Sequence, residues 1–367
     1  MNIPFFNYPF LYKEHEKDIM SVISEVSSRG AFILQKDLFE FEERIAKYIN
    51  SKFVLGVGNG TDSLEIILQA LEYGKNKEIL ISAHTYIATA SAIVSQGLQP
   101  VLVECGYDRM IDSKDLEKKI TKDTVAIMPT QLNGRTCNMD RIQNIAKEHN
   151  LDIIEDSAQA LGSKFKKKCA GTFGIAGSFS LYPAKLLGSF GDGGLIVTDN
   201  EDLYKKMYMI RDHGRDQEGE VRIWGRNSRL DNLQAAILNY KLTSYEKDII
   251  KRRAIAEQYH DSLSSIDEIS LPQSPNSDPD HFDVFQNYEI VAQERDRLKS
   301  FLAENGIGTL VQWNGKAIHQ HEDLNFSVSL PATDEYMKKF IMLPMNTSLT
   351  NEEVDYISKK VKEFYGK

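Results

Sequence analysis

Cysteine is scarce in this chain of 367 residues. Its three copies, Cys105, Cys137 and Cys169, show no metal-ligand spacing and no even framework. That excludes a disulfide-stapled secreted scaffold and predicts a reducing, cytoplasmic compartment. No apolar run approaches the roughly 20 residues of a membrane span. The N-terminal Met1-Asn2-Ile3-Pro4-Phe5-Phe6 lacks a basic region followed by a long apolar run, so no signal peptide is expected. Excess positive charge is missing too. With 44 Lys and Arg against 53 Asp and Glu, the formal net charge is -9. This argues against nucleic acid or an anionic membrane as partner, although local basic pockets could still bind phosphates. No Walker loop, dinucleotide fingerprint, internal repeat or low-complexity tract is present.

What is present is an ordinary globular composition, 41% hydrophobic and 26% charged, long enough for one large domain and a smaller one. An extended aromatic arm is expected over residues 1–12, then helices over 13–28 and 36–50, the second burying Leu38, Phe41, Ile45 and Tyr48. Strands are predicted at 53–57, 78–81, 101–103, 124–129 and up to Asp156, with helices between them. The helix before Gly97 is expected to begin at Ser82-Ala83-His84-Thr85-Tyr86. Further helices are read over 200–213 and from Gly225-Arg226-Asn227 to about Ala256. A loop follows over 271–283, then a strand at 288–291, a helix at 293–305, a turn and strand at 306–311, and a final helix at 350–365. Strands alternating with helices imply a mostly parallel sheet covered on both faces. The division falls near residue 245, giving units 1–245 and 246–367.

Ligands of such sheets sit beyond the carboxyl ends of the strands. Asn59–Thr61, His84–Tyr86, Gln131–Gly134 and Asp156–Gln159 all fall at such ends, which argues for a single site. Gly58-Asn59-Gly60-Thr61 opens a helix, where free N–H groups and the dipole favour an anion. Asp156 ends an apolar strand. Downstream, Gly177–Gly194 (G-S-F-S-L-Y-P-A-K-L-L-G-S-F-G-D-G-G) holds one lysine, Lys185, and closes in a glycine-rich turn. Singly, these are a solvated lysine, a helix cap and a hairpin turn. In this order they suggest chemistry on a pyridine aldehyde. Pyridoxal 5'-phosphate needs a lysine amine for a Schiff base and a carboxylate to keep its ring nitrogen protonated.

The motifs together resemble the DegT/DnrJ/EryC1/StrS family of sugar aminotransferases over nearly the whole chain. They stand as G-N-G-T-D-S-L at 58–64, S-A-H-T-Y-I-A-T at 82–89, I-E-D-S-A-Q-A at 154–160, S-F-S-L-Y-P-A-K at 178–185, G-D-G-G at 191–194 and N-S-R-L-D-N-L-Q-A-A at 227–236. The resemblance implies the aspartate-aminotransferase-like fold type I of pyridoxal-phosphate enzymes, an α/β fold with a smaller C-terminal α+β domain. It gives Lys185 the Schiff base and the proton shift, Asp156 the ring nitrogen, and Gln159 the ring hydroxyl. Gly60, Thr61 and Ser180 would bind the phosphate, and Tyr86 would stack on the ring. Asn227 would reach the phosphate of the partner subunit in a homodimer with shared sites. Relatives of the dehydratase branch carry histidine where Lys185 stands, so transamination is favoured over deoxygenation.

N-G-T-D-S-L is similar to relatives that aminate C-3 of 3-keto-6-deoxy sugars on dTDP, and relatives acting at C-4 more often show G-T-A-x-L. Tyr182, Trp313 and His319 are the implied sugar contacts. Many relatives carry His-Tyr-Pro where this chain has Gln312-Trp313-Asn314. Family habit makes L-glutamate the amino donor and the product an amino sugar for surface glycans, such as lipopolysaccharide O-antigen, or related products. The alternatives are a C-4 aminotransferase on a UDP-, GDP- or dTDP-linked 4-keto-6-deoxy sugar, an aminotransferase for a cyclitol ketone, and a non-catalytic sensor of the cofactor or a sugar. A sensor of that kind should carry a DNA-binding domain and a basic face, and this acidic chain shows neither.

Overall fold

The structure, a computed structural model, describes residues 1–367. Its centre is a seven-stranded sheet in the spatial order Phe53–Val57, Gly194–Thr198, Ala176–Ser180, Asp152–Asp156, Thr124–Met128, Glu78–Ser82, Gln99–Val103. All strands run the same way except Gly194–Thr198, which is antiparallel to both neighbours. Successive side chains point to opposite faces. Leu55, Val57, Ile79, Ile81, Met128 and Ile154 therefore join one core, and Val54, Leu80, Ile127 and Ile153 pack on the other side. Both faces are covered, as the continuous apolar strands require.

Several expected boundaries move. The arm is shorter, because the first helix spans Tyr8–Arg29 with a proline in its first turn, where a missing N–H costs nothing. The helix after Ser82 begins only at Ile87. The long helix expected from Gly225 is two, Asn232–Lys241 and Tyr245–Leu263. Residues 225–231 are extended, pinned by Arg226 N to Ile210 O and Ser228 N to Arg211 O. Between the two helices, the hydroxyls of Thr243 and Ser244 bond back to the carbonyls of Tyr240 and Lys241, competing with helix continuation. No strand forms at 306–311, where Leu310 makes one bridge to Met342.

A second, antiparallel sheet of Ile269–Ser270, Tyr288–Ala292 and Phe340–Leu343 packs against Tyr245–Leu263, Arg295–Glu304 and Asn351–Phe364 around its own core. Ile3 joins that core: its N–H donates to Gly306 O and its carbonyl accepts from Gly308 N, both at 2.8 Å. Gly306 has φ +74°, and a Cβ there would lie 2.2 Å from Met1 O, so only glycine fits. A buried pair, Arg211 with Glu42, ties the helices Glu201–Arg211 and Lys36–Ile49 to the edge strand, because Glu42 also accepts from Gly56 N and Arg211 donates to Gly56 O. Removing either partner would strand a buried charge, at about 3–5 kcal/mol. The three cysteines are buried and unpaired. No helix is long and apolar enough to cross a membrane.

Candidate active site

A cavity of about 720 Å³ lies beyond the carboxyl ends of the parallel strands. Gly60, Thr61, Tyr86, Asp156, Gln159, Ser180, Tyr182, Lys185 and Trp313 line it, so most of the expected residues meet in one place. A smaller cavity of about 370 Å³, beside Arg109, Arg135 and Asp283, holds none of them.

One end is built for an anion. Asn59 caps the helix Gly60–Leu71 by accepting from Asp62 N at 2.8 Å. The N–H groups of Gly60 and Thr61 keep no partner within the chain. The Ser180 hydroxyl faces them across a narrow gap: a Cβ on Gly60 would meet Ser180 Cβ at 3.0 Å and Cα at 3.3 Å. Two free N–H groups at a helix start and a hydroxyl form a cradle for phosphate.

Lys185 stands on the loop between Ala176–Ser180 and Gly194–Thr198, and its Nζ makes no hydrogen bond or ion pair. Enclosure lowers its amine to about 8, against a smaller opposing pull from Asp156. Asp156 is 5% exposed at the end of its strand. Its Oδ2 accepts from the Thr89 hydroxyl at 2.7 Å and its Oδ1 from Ala158 N at 3.2 Å. Burial pushes the carboxyl up, and those two donors with Lys185 pull it back. A buried carboxylate with no ion pair calls for a protonated partner in the cavity.

Gln159 Oε1 accepts from Asn133 N at 2.8 Å, and its Nε2 donates to Gln312 Oε1 at 3.3 Å. Tyr86 and Trp313 form an aromatic wall, with ring centroids 6.3 Å apart. His84 does not reach the cavity; it is buried behind Trp313, at 5.3 Å between centroids. Trp313 and Asn314 both adopt the left-handed region, with φ of 52° and 55°. No proline can take the Asn314 conformation, so the departure from His-Tyr-Pro alters the backbone path as well as the side chains.

Two expected residues lie elsewhere. His319 does not line the cavity; its ring is buried, with Nε2 2.9 Å from Asp334. Asn227 also lies outside the cavity. It is exposed, bridges Asp212 through its backbone, and caps no helix, since Asp231 holds that position. Thr89, Asn133, Gln286, Asn287 and Gln312 also build the site. Thr89, Asn133 and Gln312 fall within stretches that the sequence singles out, 82–89, 131–134 and 312–314, whereas nothing local marks Gln286 or Asn287.

A phosphate cradle, a buried carboxylate without a counter-charge and an unpaired amine of lowered basicity fit pyridoxal 5'-phosphate. Fold and site together define a pyridoxal-phosphate-dependent aminotransferase of the aspartate-aminotransferase-like type. Comparison with known proteins narrows the class. Residues 13–362 match the DegT/DnrJ/EryC1/StrS aminotransferase family, and the chain belongs to it. It is 36% identical to the "Pleiotropic regulatory protein" of Geobacillus stearothermophilus, covering 100% of this chain and 99% of that one. It is 35% identical to the dTDP-3-amino-3,6-dideoxy-alpha-D-galactopyranose transaminase of Aneurinibacillus thermoaerophilus, covering 99% of each. The crystal structure of S. venezuelae DesV in complex with a ketimine intermediate superposes with a TM-score of 0.95 at 31% identity, covering 100% of this chain and 99% of that one.

Proposed function

We propose that this sugar aminotransferase moves an amino group from L-glutamate to C-3 of a dTDP-linked 3-keto-6-deoxyhexose. The observation that carries the chemistry is the unpaired Lys185 amine sharing a cavity with buried Asp156. The C-3 position and the dTDP carrier rest on N-G-T-D-S-L and on the named activity of the Aneurinibacillus relative. We place the reaction in the cytoplasm, which three free, buried cysteines fit, and in the making of surface glycans such as O-antigen.

When bound, pyridoxal 5'-phosphate supplies a ring that withdraws electrons from a carbon losing its proton. Gly60 N, Thr61 N and Ser180 would hold its phosphate, and Asp156 would keep its ring nitrogen protonated. Thr89 and Ala158 fix the Asp156 carboxylate in place. Lys185 would take and return the proton at the carbon that bears the nitrogen, as an amine lowered to about 8 can do in both directions. Tyr86 would stack on the cofactor's ring, and Tyr182 and Trp313, which line the same cavity, would form the wall against which the sugar lies.

We also propose a homodimer with shared sites. Phe6, Tyr8, Phe10, Phe32, Ile33 and Phe39 are exposed on the first two helices and their flanks, apolar side chains that a partner subunit would cover. The Asn227 side chain, which makes no hydrogen bond within its own chain, would be offered to the partner's phosphate site. Residues 1–245 and 246–367 form the two proposed domains, with Ile3 crossing to the second.

The test is an assay of purified protein with L-glutamate and dTDP-, UDP- and GDP-linked 3-keto and 4-keto deoxy sugars, with products read by mass and NMR. Amination at C-3 of the dTDP sugar is expected. Amination at C-4 would overturn that assignment. Amination of none would favour a regulatory role like that named for the Geobacillus relative.

A further inference from the structure

Glu289 is wholly buried on the strand Tyr288–Ala292 and does not line the active-site cavity. Three donors converge on its carboxylate: Asn133 Nδ2 at 3.0 Å, Gln312 Nε2 at 3.2 Å and the Tyr336 hydroxyl. Asn133 and Gln312 are also the residues that hold Gln159. Gln312 further donates to Asn133 Oδ1 at 3.1 Å, and Asn287 donates to the same oxygen at 2.8 Å and to Gln159 Oε1 at 3.3 Å.

The polarity of this network is set at both ends. A carboxylate only accepts, so Gln312 must turn its Nε2 to Glu289 and its Oε1 to Gln159. A peptide N–H only donates, so Asn133 N must meet Gln159 Oε1. Gln159 is left with one orientation, in which Nε2 gives one N–H to Gln312 and keeps the second for the cavity it lines. Whatever group faces it there must be an acceptor.

We propose that Glu289 is a positioning residue that fixes Gln159 as a hydrogen-bond donor to the cofactor's ring oxygen. This rests on the reading of the cavity as a pyridoxal-phosphate site. The relay runs through Gln312, one of the positions where this chain departs from the His-Tyr-Pro of many relatives. Glu289→Gln keeps size but must aim an NH2 group at Gln312 or Asn133. Turning Gln312 to relieve that clash sets nitrogen against nitrogen at Gln159.

Binding, not turnover, tests this. In a Lys185→Ala background, titration compares pyridoxal 5'-phosphate with its 3-deoxy analogue, which lacks the ring oxygen. The background protein should prefer the full cofactor about tenfold, the worth of one good hydrogen bond. Gln159→Leu should abolish the preference. Glu289→Gln and Gln312→Leu should each cut it to about threefold or less, and Gln312→Leu carries the test alone if Glu289→Gln does not fold. A preference near tenfold in both, with the two ligands weakened equally or not at all, overturns the proposal while Gln159→Leu still loses it. A preference retained in Gln159→Leu shows that Gln159 does not meet the ring oxygen. That outcome defeats the proposal but leaves the phosphate cradle and Lys185 assignments standing.

Discussion

Gln286 grips the peptide groups on both sides of Lys185. Its Oε1 accepts from Leu186 N at 2.7 Å and its Nε2 donates to Ala184 O at 2.8 Å. Gln286 is itself held from behind, where buried Arg252 donates to the carbonyls of Phe285, Gln286 and Met345. The loop that carries Lys185 is thus positioned from the C-terminal half of the chain.

Replacing Gln286 by leucine should therefore harm catalysis more than folding. Both peptide groups would lose their partner, at about 1–3 kcal/mol of stability. A displaced amine should lower kcat by about 10–100-fold, because small misplacements of a reacting group are that expensive. Steady-state kinetics beside a denaturant titration would check this, and kcat within twofold of the parent would count against the clamp.

Lys185 should behave as an unusually acidic lysine in cofactor-free protein. Its amine is lowered to about 8, so the free base dominates above that pH and the ammonium below it. Acylation of Lys185 should rise between about pH 7 and 9, where an exposed lysine of pKa ~10.4 is still mostly protonated. Asp156 raises this pKa by its charge, so Asp156→Asn should move the midpoint down. Mass spectrometry of labelled peptides across pH gives the answer. A midpoint near 10, or an upward move in the variant, would contradict it.

Subunit mixing should reveal shared sites. Asn227→Ala and Lys185→Ala are each expected to be inactive alone. A mixed dimer with shared sites has one site bearing both defects and one bearing neither, so activity should return on exchange. Proven exchange without recovery would assign Asn227 to its own chain.

The sheet was legible where apolar residues ran continuously between turn signals, as at Phe53–Val57, whose bounds match. Ala176–Ser180, rich in glycine and serine, gives no such pattern, and its strand character comes from its neighbours on either side. The cavity could be read because strand ends converge by topology, so Asn59, Tyr86 and Asp156 met as expected. The partner of His319 could not be read, because Asp334 lies on another helix. Much of the hydrogen-bonded support around Gln159 and Lys185 was hidden for the same reason: Asn133 falls in the strand-end stretch Gln131–Gly134, but Gln286 and Glu289 act through contacts across the fold, and no local spacing announces them.

The seating of Ile3 between Gly306 and Gly308 sets an order of events during synthesis. A ribosome adding about 5–20 residues per second needs roughly 15–60 s to travel from one partner to the other. Throughout that interval the aromatic arm at Phe5 and Phe6 has no place to dock, although the first sheet can already close. The nascent chain therefore carries this aromatic segment undocked until its last third emerges. Phe6 on the same arm lines the catalytic cavity, so an arm that fails to latch against Gly306 also leaves that cavity short of one wall residue.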